Sequence, residues 1–298
     1  MPQRAYAFGL GPALAKQAGK NCYHLFDISQ DESQRSQRES VQQVAQALER
    51  NEFVLHYQPK VNMTTGTVMG AEALIRWQHP VRGLLAPGVF LPLIEGHSIS
   101  IALGEWVIAT ALSQMSAWSA QGLRLPVSVN ISGLQLQDPD FTQRLTDLLA
   151  RHPEVPAQDL ELEILETSAL EDIAQVSSVM QACRELGVTF ALDDFGTGYS
   201  SLTYLRRLPA ELLKIDQSFV RDMLDDQADL AIVKGVIGLA AAFHRRVIAE
   251  GVETALHGQQ LLRLGCELAQ GYGISRPLPA DQLPRWVATW TPDRDWAM

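Results

Sequence analysis

Cysteine is scarce in this 298-residue chain. Cys22, Cys183 and Cys266 are odd in number and far apart. With no Cys-x-x-Cys and no Cys/His cluster, neither a disulfide scaffold nor a structural zinc site is indicated. Basic charge is also in deficit: Lys and Arg total 24 against 34 Asp and Glu, a formal charge of −10. That argues against a binder of polymeric nucleic acid, which presents a basic face. An anionic small ligand stays open where metal ions or a few local cations meet it. No apolar run approaches the ~18 residues of a membrane-spanning helix. The best stretches, 99–112 and 230–243, are interrupted by Glu105 and Lys234. The segment Ala5–Ala15 after Arg4 has the outline of a secretory signal, but Gly9, Gly11 and Pro12 break it and Lys16 and Lys20 follow at once. The chain is therefore expected to be cytoplasmic. No Gly-x-Gly-x-x-Gly follows a strand-like segment, so a dinucleotide-binding fold has no support.

What is present is alternation. Residues 27–40 are polar and read as a linker or an exposed helix start. From Val41 the pattern changes. Val41, Val44, Ala45 and Leu48 recur at helical spacing. Phe53–Gln58 and Thr67–Trp77 read as strands joined through the turn Thr64-Thr65-Gly66. Helices are expected near 87–95 and 100–121. Strand and helix then alternate: strands at 126–131, 159–165, 188–193, 211–216, 246–250 and 267–270; helices at 140–151, 170–186, 200–206, 227–244, 254–264 and 280–289. Such alternation over about 250 residues predicts an α/β fold with a parallel sheet closed as a (β/α)8 barrel, with an open doubly wound sheet as the alternative.

The strands carry polar residues in a regular place. In Leu160-Glu161-Leu162-Glu163-Ile164 the apolar residues share one face and the glutamates the other, as period-two alternation requires. Asn130, Asp193 and Lys214 likewise oppose apolar neighbours, Glu250 ends its strand, and Glu72 lies within the second strand. These positions are read as late in their strands, the end at which barrel enzymes build active sites. Any one of them reads equally well as a solvent-facing strand end; six together are harder to treat so. Glu72, Asn130, Glu163, Asp193, Asp194 and Glu250 are all oxygen donors, with no Cys or His among them. Converging carboxylates repel and resist desolvation, so they must shift their pKa values or bind cations. Oxygen-only donors suit Mg²⁺ or Mn²⁺, and Ca²⁺ can bind them too. Asp193-Asp194 suits two ions, because one carboxylate can bridge while its neighbour serves the second. Paired metals of this kind are typical of phosphodiester hydrolysis.

At this point the chain resembles a known family. Glu72-Ala73-Leu74-Ile75-Arg76-Trp77 is similar to the signature of the EAL-domain cyclic di-GMP phosphodiesterases, and the match runs over roughly 41–290. It takes in Tyr57-Gln58-Pro59, His79-Pro80, Val129-Asn130-Ile131-Ser132, Leu162-Glu163 with Glu166, and Asp193-Asp194-Phe195-Gly196-Thr197-Gly198-Tyr199-Ser200-Ser201. It continues through Leu213-Lys214-Ile215-Asp216, Ala249-Glu250-Gly251-Val252-Glu253 and Gln270-Gly271-Tyr272. The resemblance implies a modified TIM-type barrel with an antiparallel first strand, and hydrolysis of cyclic di-GMP to linear 5'-pGpG with two Mg²⁺ or Mn²⁺ ions, Ca²⁺ being inhibitory. It implies Glu72, Asn130, Glu163 and Asp193 as ligands of the first ion. Asp193 and Asp194 would hold the second, with Glu250 close by. It implies Lys214 and Glu250 as the pair that orients water. Arg76, Gln58, Leu74 and Gln270 would meet substrate. Residues 194–201 would form a loop that couples metal binding to homodimerisation, with Glu166 as its anchor through loop amides or hydroxyls such as Thr197 and Ser200. Leu165 stands where the family usually has Thr. A binding-only receptor would be expected to lack some of these residues, and all are present. Residues 1–27 resemble the end of a GGDEF domain, which implies an N-terminal remnant, a linker at 28–40, an EAL domain at 41–298 and an upstream sensory or GGDEF partner domain.

Overall fold

The computed structural model describes residues 28–170, 172–198 and 202–296. The expected remnant at 1–27, and Ser200 in the expected loop, lie outside these. Among the described residues there are ten strands: β1 (Phe53–Asn62), β2 (Thr67–His79), β3 (Gly83–Leu85), β4 (Val127–Ile131), β5 (Leu160–Leu165), β6 (Thr189–Phe195), β7 (Leu212–Ile215), β8 (Arg246–Ala249), β9 (Leu268–Ala269) and β10 (Leu278–Pro279). Eight of them close a barrel in the order β1-β2-β4-β5-β6-β7-β8-β9, with β9 returning to β1. The pairs from β2 through β9 are parallel, whereas β1 is antiparallel to both neighbours. The expected barrel with one reversed strand is therefore the fold, and the open sheet is not.

The reversal starts at a tight turn. Asn62 Oδ1 accepts the backbone N–H groups of Thr64 and Thr65, both at 2.9 Å, and Gly66 supplies the left-handed backbone at φ +67°. β1 runs four residues past the expected Gln58, straight through Pro59. β10 pairs with His56 and Tyr57, and β9 with Val61 and Asn62. Both flank Pro59 without pairing to it, which is where a strand tolerates a residue lacking an N–H.

Alternation then sorts the side chains. Val127, Val129, Leu160, Leu162, Phe190, Leu192, Leu213 and Ile215 face outward into the main core. They pack there under helices that include Ile99–Ala120, Ile173–Glu185 and Gln227–Ala242. Inside the barrel, Ala191, Leu212 and Ile248, with Leu268 against them, form a separate small apolar cluster. The inner positions two residues further along those strands are the polar ones. Gly271 allows the chain after β9 to press against the 251–253 turn: a Cβ there would lie 2.2 Å from the backbone N of Val252.

Several expectations are corrected. Of the two readings of residues 28–40, a linker or an exposed helix start, the second is the one found: they begin the helix Ile28–Glu49. The helix expected at 87–95 is a 3-10 turn, Pro87–Val89, and a short helix, Leu91–Ile94, each with a proline in its first turn. Short helices at Gly133–Gln137 and Gln217–Asp222 went unforeseen, although each has a local signal. Ser132 and Gln135 form a reciprocal capping box, and Asp216 Oδ1 accepts the N–H of Ser218. Glu72 is also not late in its strand. β2 pairs with β4 only through Ala71–Ala73 and then continues beyond the barrel wall.

Candidate active site

The inner polar residues converge on Lys214. Its Nζ lies 2.5 Å from Glu163 Oε2, 2.7 Å from Glu250 Oε1, 3.0 Å from Asp193 Oδ1 and 3.6 Å from Glu72 Oε2. Lys214 is 1% exposed and Glu163 0%, so these charges balance one another with little help from water. Glu72 is held from both sides: Asn130 Nδ2 donates to its Oε1 at 2.7 Å and Gln270 Nε2 to its Oε2 at 2.7 Å. Gln270 Nε2 also reaches Gln58 Oε1 at 3.0 Å, and Gln58 Nε2 is spent on the carbonyl of Ser275. The other amide atom of Gln270, Oε1, is buried without a partner.

Consecutive strand residues point to opposite faces, so Asp193 and Asp194 cannot both reach the mouth from a regular strand. β6 meets this with a bulge. Leu192 pairs with Leu213 but Phe195 pairs with Ile215, one residue out of step. Asp194 takes up the extra residue at φ +52°. For a residue with a Cβ that costs about 1–2 kcal/mol, and the strain sits at the mouth, where functional sites concentrate it. The turn is tied locally: Asp194 N–H donates to Asp193 Oδ1 at 3.0 Å and Thr197 Oγ1 to the carbonyl of Asp194 at 2.8 Å. It is tied at a distance by Glu166, whose Oε2 accepts the N–H of Gly196 at 3.0 Å. Of the loop amides and hydroxyls expected against Glu166, the Gly196 amide is found there, whereas the Thr197 hydroxyl donates to the carbonyl of Asp194.

Electrostatics divide the set. Burial raises Glu72, and Glu163 and Asp193 push it further. Burial with Asp193 beside it brings Asp194 to about 7. Burial takes Glu250 to about 8 despite Lys214. Glu163 moves the other way. Burial alone would raise it, but Lys214 and Lys60 together bring it to about 2. With the Lys60–Glu161 pair below counted as neutral, these five carboxylates against the Lys214 ammonium leave a formal surplus of four negative charges at the mouth, the charge of two divalent cations. The carboxylates also fall into two groups, Glu72 with Glu163 and Asp193, and Asp193 with Asp194 and Glu250, each with ligand oxygens within 4.8 Å of one another. The shared member is Asp193. Donor chemistry, charge and spacing therefore fit a pair of hard divalent ions.

Gln58, Glu72, Asn130, Glu163, Asp193, Asp194, Lys214, Glu250 and Gln270 are thus brought together. Arg76 shares the inner face of β2 with Glu72 and Leu74 but lies four residues on, half-buried, its Nη1 donating to the carbonyl of Ile75. Lys60, Ser128 and Glu161, to which the sequence pattern assigns no role, form the layer below. Ser128 and Glu161 lie two residues before Asn130 and Glu163, and Lys60 two after Gln58, so alternation along the strands was the available signal.

Comparison with known proteins agrees with this geometry. The EAL domain family matches residues 41–277. The chain is 41% identical over 275 residues to the bifunctional diguanylate cyclase/cyclic di-GMP phosphodiesterase MucR of Pseudomonas aeruginosa, covering 92% of this chain and 40% of MucR. It is 40% identical over 235 residues to the cyclic di-GMP phosphodiesterase PA2567 of the same organism, covering 79% of this chain and 40% of that protein. The chain thus spans about two fifths of the length of these relatives. Its structure is similar to that of the PaMucR phosphodiesterase in complex with c-di-GMP, with a TM-score of 0.78 and 41% identity over 82% of this chain and 99% of the other.

The raised carboxylates predict a pH dependence for the metal-free protein. Asp194 and Glu250 titrate higher folded than unfolded, so the unfolded chain releases their protons first and stability falls as pH rises toward their folded values. The contribution of Glu163, held at about 2, is fully present throughout this range. His56, lowered by burial and by Arg76, acts in the opposite direction only below about pH 6.5. In EDTA the melting temperature is expected to drop between pH 6.5 and 8.5, and Mg²⁺ is expected to raise it more at the upper end. A metal-free melting temperature that is flat or rising over that range contradicts this reading.

Proposed function

The chain belongs to the EAL-domain family, and on that footing we propose that it is a metal-dependent phosphodiesterase that hydrolyses cyclic di-GMP to linear 5'-pGpG. The observation that carries the proposal is the buried ring around Lys214, with Asp193 common to two carboxylate groups. Glu72, Asn130, Glu163 and Asp193 would hold one ion; Asp193 and Asp194 would hold the other, with Glu250 beside it. Mg²⁺ or Mn²⁺ would there lower the pKa of a water and offset charge developing on the phosphoryl oxygens. Water adds to phosphorus, the bond from phosphorus to the ribose 3'-oxygen breaks, and that oxygen leaves with a proton, giving a 5'-phosphate and a 3'-hydroxyl.

The residues of the chain divide this work. Lys214 donates from a fixed point at the centre of the ring and orients the water with Glu250, whose position at the strand end leaves one edge toward the mouth. Arg76, outside the ring on the same face of β2, holds a substrate phosphate. Gln270 and Gln58 brace Glu72, and Leu74 lines the approach between Glu72 and Arg76. The loop after Asp194, anchored by Glu166, couples the second ion to the region through which the chain forms a homodimer. No described helix is long and apolar enough to cross a membrane. On the proposed reading the chain works in the cytoplasm, under an upstream sensory or GGDEF domain of a longer protein.

Purified protein incubated with cyclic di-GMP and Mg²⁺ is expected to yield pGpG on chromatography. Glu72→Ala, excess EDTA and Ca²⁺ are each expected to suppress it, Ca²⁺ because its longer bonds misplace the water. Near-normal turnover by Glu72→Ala, or in EDTA, contradicts the two-metal reading.

The division of roles has its own signature in steady-state kinetics. Lys214→Ala and Glu250→Gln are expected to lower kcat by about 100-fold or more with little change in KM. Arg76→Ala is expected to raise KM by about tenfold, the scale of one charge-assisted hydrogen bond. Equal KM increases in all three variants, with kcat unaffected, would overturn it.

A further inference from the structure

The floor beneath the Lys214 ring is built in two halves. On one side the barrel is filled with Ala191, Leu212, Ile248 and Leu268. On the other, in the same layer, it holds Lys60, Ser128 and Glu161. Lys60 Nζ lies 2.5 Å from Ser128 Oγ, 3.0 Å from Glu161 Oε1 and 2.5 Å from Glu163 Oε1, and Ser128 Oγ donates to Glu161 Oε1 at 2.6 Å. Lys60 is 5% exposed and Glu161 8%. A buried ion pair is a poor way to stabilise a fold, since well-packed apolar residues of similar volume commonly do as well or better. The apolar half of this floor shows that the barrel accepts them. The ionic half therefore calls for a reason other than stability.

Glu163 supplies one. It is the only residue of the ring gripped from below, and each of its oxygens meets a different ammonium, Oε1 at Lys60 and Oε2 at Lys214. A carboxylate torsion is broad and soft when left alone. Lys214 cannot fix it by itself, because it is shared among four carboxylates. Lys60 is shared with one other carboxylate, Glu161, which with Ser128 belongs to the floor and holds the ammonium from beneath.

We propose that Lys60 is a positioning residue, which clamps Glu163 by Oε1 so that Oε2 stands at a fixed place toward Lys214 and the cation taken up at the mouth. Glu161 and Ser128 serve to hold Lys60. The proposal rests on the reading that the mouth binds two divalent ions, and it adds that one of those sites is set from beneath by a residue outside the ring.

The test removes the clamp without altering net charge. Lys60→Met/Glu161→Met deletes one charge of each sign, so the net charge of the barrel is unchanged while Glu163 Oε1 is released. Mn²⁺ binding to the protein without substrate is measured by the paramagnetic resonance of free Mn²⁺. Melting temperature and steady-state kinetics are taken on the same preparations. One of the two Mn²⁺ equivalents is expected to weaken by about tenfold or more, the usual scale for the loss of a ligand's outer partner. kcat at low Mn²⁺ should fall in step and recover as Mn²⁺ is raised, with KM within about twofold. If this variant does not fold, Lys60→Met/Glu161→Gln keeps a polar partner for Ser128 and is expected to show the same selective loss. Two Mn²⁺ equivalents bound with parental affinity and turnover by either folded variant would overturn the proposal. A parent protein that takes up no Mn²⁺ would instead fail the functional reading, and the clamp with it.

Discussion

The Lys214 ammonium, inside the barrel with almost no access to water, is surrounded by Glu163, Asp193, Glu250 and Glu72. Much of the architecture answers the problem this creates. An unpaired ion in such a place is prohibitive, and carboxylates in excess of the ammonium are nearly as costly. The chain meets the first cost with geometry, by bringing residues from β2, β5, β6, β7 and the end of β8 to one point. It leaves the second in place. Burial, with the neighbouring carboxylates adding to it, holds Glu72, Asp194 and Glu250 above their ordinary range, and on the proposed reading divalent ions offset the surplus charge.

Backbone irregularity supplies what regular strands cannot. Asp193 and Asp194 reach the same mouth only because β6 slips by one residue against β7 and Asp194 adopts a left-handed conformation. The strained turn is held by Glu166 from the end of β5, through the N–H of Gly196. Gly198 packs so closely that a Cβ on it would approach Glu166 Oε1 to 3.2 Å. Asp194, the loop that follows it and any contact made through that loop therefore share one set of bonds.

The parts of this arrangement that follow from period and charge were legible in the amino-acid sequence. Alternation placed Asn130, Glu163, Asp193 and Lys214 on the inner face, and strand–helix repetition implied the barrel. The parts that follow from three-dimensional competition were not. The polar residues 28–40 read as a linker or an exposed helix start, because what decides between the two lies further along the same helix, in the burial of Val44 and Ala47. Glu72 read as late in its strand because the extent of β2 beyond the barrel wall is set by its pairing with β1 and β3, not by its own pattern. Lys60 stood beside Pro59, which truncated the expected strand before reaching it. The bulge at Asp194 left no sign beyond two adjacent aspartates and the glycines after them.

The central claim is that Asp193 is common to two divalent ions, the first closed by Glu72 and Glu163 and the second by Asp194. Crystals grown with Mn²⁺, with anomalous scattering measured at the manganese edge, test it directly. The account predicts two peaks about 3.5–4 Å apart, both within coordinating distance of Asp193 and divided between those partners. A single peak, or two peaks of which one does not touch Asp193, would contradict it.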